Sequence, residues 1–245
     1  MSLLANLSTD SSIADERDSI GSGGPVDSGL YTCTVAMAHI IKSQGGAMGL
    51  VLTLKTEADK EIRQTLWMTS GTAKGGTNYY TDKNGAKQYL PGFVQANALC
   101  LLTVGKEISA MDTETKVINL YSPEARAEVP TKAEVLMDLL NQEITVGIIK
   151  QTVDKTVKND AGVYVATGET RDENEIDKFF RTKDRMTTAE IRAQTTEAVF
   201  IDQWDKKWTG KTKDRAKGAA AGLAGVPKLG GAPSAAKKPT TSLFG

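Results

Sequence analysis

Apolar and polar side chains begin to alternate at Gly29. From there to Ser43, the run YTCTVAMAHIIKS puts Tyr31, Cys33, Val35 and Met37 on one side of an extended segment, the period of two that a half-buried strand requires. A turn at Gly45-Gly46 leads into MGLVLTLKT, where Leu50, Leu52 and Leu54 share a face. The charged turn EADK then leads into EIRQTLWMTS with Ile62, Leu66 and Trp67. Three strands joined by short turns predict an antiparallel meander. Residues 71–92 carry Gly-Gly and Asn-Gly turn signals and read as a long structured loop or a small hairpin. Pro91 suits the first turn of a helix with Phe93, Ala96, Leu99 and Cys100 at helical spacing and Gly105 as its stop.

Thr131 and Glu134 have the spacing of a capping box, which predicts a second helix over TKAEVLMDLLN. Strands resume with EITVGIIKQTVDKTV and, after a turn at 159–162, VYVATG, a long hairpin. Two further capping boxes, Thr170 to Glu173 and Thr187 to Glu190, predict two or three short helices over 171–208, ending near Trp204 and Trp208. A meander, a helical interruption and a hairpin follow the element order of a five-stranded barrel of the oligonucleotide/oligosaccharide-binding (OB) type. The expected fold is therefore mainly β with α insertions, the helical insertion falling between strands three and four. The expected organisation is a flexible acidic arm at 1–28, an OB-like barrel at 29–170, helices packed on it at 171–209, and a disordered basic Ala/Gly/Pro/Lys tail at 210–245.

Charge changes this picture more than composition does. The 245 residues are 40% hydrophobic with zero net charge, ordinary for a chain with a real core. Residues 206–245, however, hold nine Lys/Arg against one acid, so the rest of the chain is acidic. A nucleic-acid site must then be a local patch, because the field of the whole body would repel DNA. Cys33 and Cys100 sit in apolar runs, which suits core positions and a reducing, cytoplasmic compartment; with His39 as the one histidine, no zinc-ligand spacing exists. No apolar run reaches membrane-spanning length, and the first residues, MSLLANL, hold too short an apolar run for a signal peptide and carry no basic leader, so neither export nor membrane spanning is expected.

Single strands are gripped without sequence preference by aromatic faces under the bases and cations along the phosphates. The 71–92 segment supplies both: Tyr79, Tyr80 and Tyr89 are interleaved with Lys74, Lys83 and Lys87, with Asn78 and Gln88 as hydrogen-bonding neighbours and Arg63 and Trp67 just upstream. Trp67, Tyr89 and Phe93 equally suit core packing. A second patch is the hairpin with Lys150, Lys155 and Lys158 across the turn from Tyr164; a lysine-protected sheet edge is its plainer explanation. Enzyme motifs fail. Gly210-Lys211-Thr212 resembles the end of a phosphate loop but has Asp205 where that loop needs glycine. The acids Glu169, Asp172, Glu173 and Glu175 fit a helix N-terminus better than a magnesium site. No cofactor is expected.

KSQGGAMGLVLTLK, TSGTAKGGTNYYTDKNGAKQYLPGF, ANALCLL and IKQTVDKTVKNDAGVYVATGETRDENEIDKFF together resemble a group of phage single-stranded DNA-binding proteins, over roughly residues 29–205. The resemblance implies an OB-fold, protection of single-stranded DNA during replication or recombination in the host cytoplasm, and no catalysis. The basic tail ending in Leu243-Phe244-Gly245 departs from the acidic tails of cellular counterparts, so replication or recombination partners would dock there by a different route. The competing classes are a regulatory or structural interaction protein on the same barrel and a metal-dependent nuclease.

Overall fold

The three leucines of the second strand organise the molecule. In the computed structural model, which describes residues 24–122, 124–159 and 162–217, Leu50, Leu52 and Leu54 are fully buried, each burial contributing about 1.5–3 kcal/mol. They lie on β2 (Met48–Thr56), which pairs antiparallel with β1 (Gly29–Lys42) and β3 (Glu61–Trp67). The meander is as expected, with one correction. A bulge between Val35 and Met37 inserts a residue and resets the alternation, so Cys33, Val35 and Ala38 enter the core while Met37 turns to the opposite face.

Residues 71–92 form the small hairpin β4 (Tyr79–Thr81) and β5 (Lys87–Tyr89), a separate two-stranded sheet. Helix α1 (Pro91–Thr103) follows, burying Ala96, Leu99 and Cys100, and Gly105 takes the left-handed conformation (φ 78°) that ends it. The helix expected from Thr131 does not form. That stretch belongs to a hairpin of β6 (Glu114–Ser122) and β7 (Ala127–Val135), followed by a single 3-10 turn at Met137–Leu139. Ala133 and Val135 are buried two apart, as a strand demands, and the Glu134 carboxylate accepts from the hydroxyls of Thr113 (3.0 Å) and Thr115 (2.6 Å) on the partner side instead of capping a helix.

The hairpin of β8 (Glu143–Lys158) and β9 (Tyr164–Phe180) is longer than expected, and the helix proposed to start after Thr170 is absent because β9 continues through it. The Thr187 and Glu190 box does form and starts α2 (Thr188–Arg192). Glu190 then accepts from the amides of Val199 (2.9 Å) and Phe200 (2.8 Å) at the start of α3 (Phe200–Trp208). Burial alone would raise its carboxyl, but the hydrogen bonds from Thr187, Phe200 and Val199 outweigh that and hold it below the usual range. Helix α3 packs Ile201 and Trp204 on Ile149 and Phe180, and the Trp204 indole lies over Gly147, where a Cβ would come within 2.7 Å of the ring.

The expected tail is not all tail. Thr212–Asp214 form β10, parallel to β8 at Lys150–Thr152, where β1 no longer covers that edge. Residues 24–28, assigned to the arm, are also held: Asn174 bonds both the amide and the carbonyl of Val26, and Lys60 donates to the Gly24 carbonyl. The rest of the expected arm (1–23) and tail (218–245) lies outside the described residues. The result is one large sheet in the order β10-β8-β1-β2-β3, with β9 on β8, β7 on β1 and β6 on β7. The barrel is not closed. Where β3 and β9 approach, side chains replace a ladder: Gln64 Oε1 accepts from the Ile176 amide (2.6 Å) and Gln95 Nε2 donates to its carbonyl (2.9 Å). Among the described residues no helix is long and apolar enough to cross a membrane.

Candidate nucleic-acid interface

Strand β3 sends Ile62 and Leu66 into the core and, by alternation, Arg63 and Trp67 outward. Trp67 is 43% exposed. It faces Gly49 across the ladder, and a Cβ at Gly49 would stand 2.9 Å from the indole, so the ring is seated on bare backbone. Gly92 plays the matching role at the other side: its missing Cβ would lie 2.2 Å from the Trp67 carbonyl oxygen, which lets the first turn of α1 abut the strand. Around this tryptophan opens a cleft of about 1000 Å³, with Thr65 on β3, Lys74 and Tyr80 on the 71–92 segment, Gln95 on α1 and Glu175 on β9.

Two smaller hollows continue the cleft along the strand. One of about 500 Å³ between β3 and β9 shares Thr65 and Glu175 with it. Another, of about 320 Å³ and walled by β6, shares Arg63 with the second. Two of the acids along this path are paired, Glu175 with Lys213 (3.0 Å) and Arg215 (3.3 Å) from β10 and beyond and Glu173 with Arg171 (3.0 Å), whereas Glu61 at the same hollow forms no ion pair among the described residues. Arg63 and Lys74 form no ion pair among the described residues.

The structure thus brings together four of the side chains expected from sequence, Trp67, Lys74, Tyr79 and Tyr80, and sets Arg63 on the continuing path. Tyr80 is the exposed ring of the pair; Tyr79 is half-buried with the Lys87 ammonium 4.6 Å from its centroid. Tyr89 is outside the cleft lining and packs on Phe93 (5.1 Å), Asn78 turns to a neighbouring apolar hollow, and Lys83 stands exposed in the β4–β5 turn. The β8–β9 lysines do not join the cleft lining: Lys150 pairs with Asp27 (3.2 Å), Lys155 with Glu169 (2.9 Å), and Lys158 is exposed near the hairpin end opposite Tyr164.

No protein-family model matches the chain, and no curated protein matches it.

The acidic cluster of the sequence is divided by the strand it occupies. Asp172 accepts from Thr152 on one face of β9 while Glu173 and Glu175 point to the other, and among the described residues no three His, Cys, Asp or Glu side chains are grouped to hold a metal. Burial pushes both Cys33 and Cys100 up to about 12, leaving them protonated and inert. Sequence reasoning missed Gln95 and Glu175 as cleft residues, and Lys213 and Arg215 as the cations beside Glu175. The period of two along EIRQTLW could have placed Thr65 beside Trp67; nothing local ties Lys213 to β9.

Proposed function

We propose that the protein binds single-stranded DNA across the outer face of β3, on an OB-like barrel whose β3 and β9 edges meet through side chains. The seating of Trp67 carries this reading: a large ring held from below by Gly49, open above, in a cleft whose Lys74, like Arg63 in the adjoining hollow, forms no ion pair among the described residues. Bases stack on Trp67 and Tyr80, each engaged base contributing roughly 1–3 kcal/mol, and phosphates run past Lys74 and Arg63. A duplex hides the base faces that such rings need, so single strands are preferred. The sequence resemblance to phage single-stranded DNA-binding proteins agrees with this, and protection of strands in replication or recombination is the role it suggests.

Titration with single-stranded DNA, duplex DNA and single-stranded RNA of one length tests the reading. Single-stranded DNA should bind best and quench tryptophan emission, and Trp67→Phe should remove most of that quench. Equal binding of duplex and single strands, or a quench that survives in Trp67→Phe, would count against it.

A further inference from the structure

The hollow beside β6 contains a polar group that the protein leaves unsatisfied. His39, on the outer face of β1, is 2% exposed, and neither ring nitrogen has a hydrogen-bond partner. Buried donors and acceptors without partners are uncommon and destabilising. Met37 forms one wall of the hollow, Ile118 and Leu120 of β6 the other, and Thr53, opposite Met37 across the β1–β2 ladder, lines it as well. Thr53 makes no side-chain hydrogen bond among the described residues. Arg63 stands where the hollow joins the path that leads to Trp67.

These features select among ligands. Apolar walls on two sides suit a flat ring and disfavour a bare phosphate, whereas an acyl chain would leave the imidazole unpaired. Burial, helped by the Arg63 charge, lowers the His39 pKa, so the ring is neutral near pH 7 and offers one donor and one acceptor. The β6–β7 hairpin that covers the imidazole pairs with β1 at only two positions, His39 with Val135 and Ile40 with Glu134. Its own ladder extends well past them, to Ser122 and Ala127, so most of the hairpin is held by its own pairing and not by β1.

We infer that, on the strand-binding reading above, this pocket takes one base of the bound strand. The ring enters between Met37 and the Ile118 and Leu120 side chains, its polar edge meets His39 and Thr53, and the adjoining phosphate meets Arg63.

A short oligodeoxythymidine carrying one abasic site, moved a position at a time, tests this. In the parent protein several positions should weaken binding by at least about fivefold, the effect of one lost base contact. One of them should become insensitive in Ile118→Ser/Leu120→Ser and in His39→Leu, yet stay sensitive in Trp67→Ala. The two hairpin side chains lie outside the main core, so the double variant keeps the test usable should His39→Leu fail to fold. A scan of the double variant that superimposes on the parent's would overturn the pocket and leave strand binding standing. Failure of the parent to bind the intact strand would remove both.

Discussion

The outer face of β3 and the β8–β9 hairpin carry similar residues and differ in what those residues already touch. Each has cations near an aromatic ring: Arg63, Lys74 and Trp67 on one, Lys150, Lys155 and Tyr164 on the other. On the hairpin, Lys155 is held by Glu169 across the ladder and Lys150 by Asp27, while Tyr164 is 69% exposed and lies outside the cleft. On β3 the ring has a floor and the cations are uncommitted. A count of lysines and tyrosines cannot separate the two; the cross-strand register can, because it decides which charges meet an acid.

The sharpest way to break this comparison is to remove one ring from each region. Trp67→Ala should cost roughly 1–3 kcal/mol of single-strand affinity for each base that stacks on it, and Tyr164→Ala should cost nothing measurable by fluorescence anisotropy. Equal losses would mean that the hairpin shares the site. Next in size, Lys213→Ala with Arg215→Ala uncovers Glu175 beside the cleft and should weaken binding by on the order of 1 kcal/mol at low salt, an effect that fades as salt is raised. A variant-to-parent affinity ratio that stays flat across the salt series would show that Glu175 does not face the strand. Smaller again, Arg63→Ala or Lys74→Ala should each reduce the salt slope of binding by about 0.7, whereas Lys155→Ala should leave it unchanged.

The smallest effect separates the regions by pH. Burial first, and Arg63 second, hold His39 below its ordinary 6.5. The unfolded chain therefore takes up a proton that the folded one resists, and stability present above 6.5 is lost as pH falls from there through the folded value. The hydrogen bond from Lys155 lowers Glu169 from 4.5, so its contribution persists above 4.5 and disappears only as pH falls through its own folded value. Urea midpoints measured against pH should decline in the upper window for the parent and not for a folded His39→Leu, with Lys155→Ala altering only the lower window.

Much of the frame was legible where one face of an element is buried. Leu50, Leu52 and Leu54 on β2 and Ala96, Leu99 and Cys100 on α1 carry their periods because each packs on the core. The errors fall where that constraint is missing. β6 reads ETKVINLYS with no residue fully buried and only Ile118, Leu120 and Ser122 half-buried, and the first half of β9 is largely exposed, so the capping-box spacing at Thr170 met no opposing pattern. The bulge after Val35 left no mark in composition and moved Met37 across the sheet. For the cleft, the aromatic and lysine content of 71–92 pointed to a segment that lines it, but Gly49 under Trp67 and Gln95 from α1 depend on pairings distant in the chain.

The short strand β10 sets a limit on how the protein can be trimmed. A chain cut at Gly210 would strip β8 of its neighbour at Lys150–Thr152, leaving amides and carbonyls free to template pairing with another copy. It would also free the Ser28 hydroxyl from the Lys211 carbonyl it bonds while receiving the Lys150 amide. A cut after Lys217 keeps both. Of two shortened proteins that differ by only this segment, the shorter should be the one that self-associates on concentration.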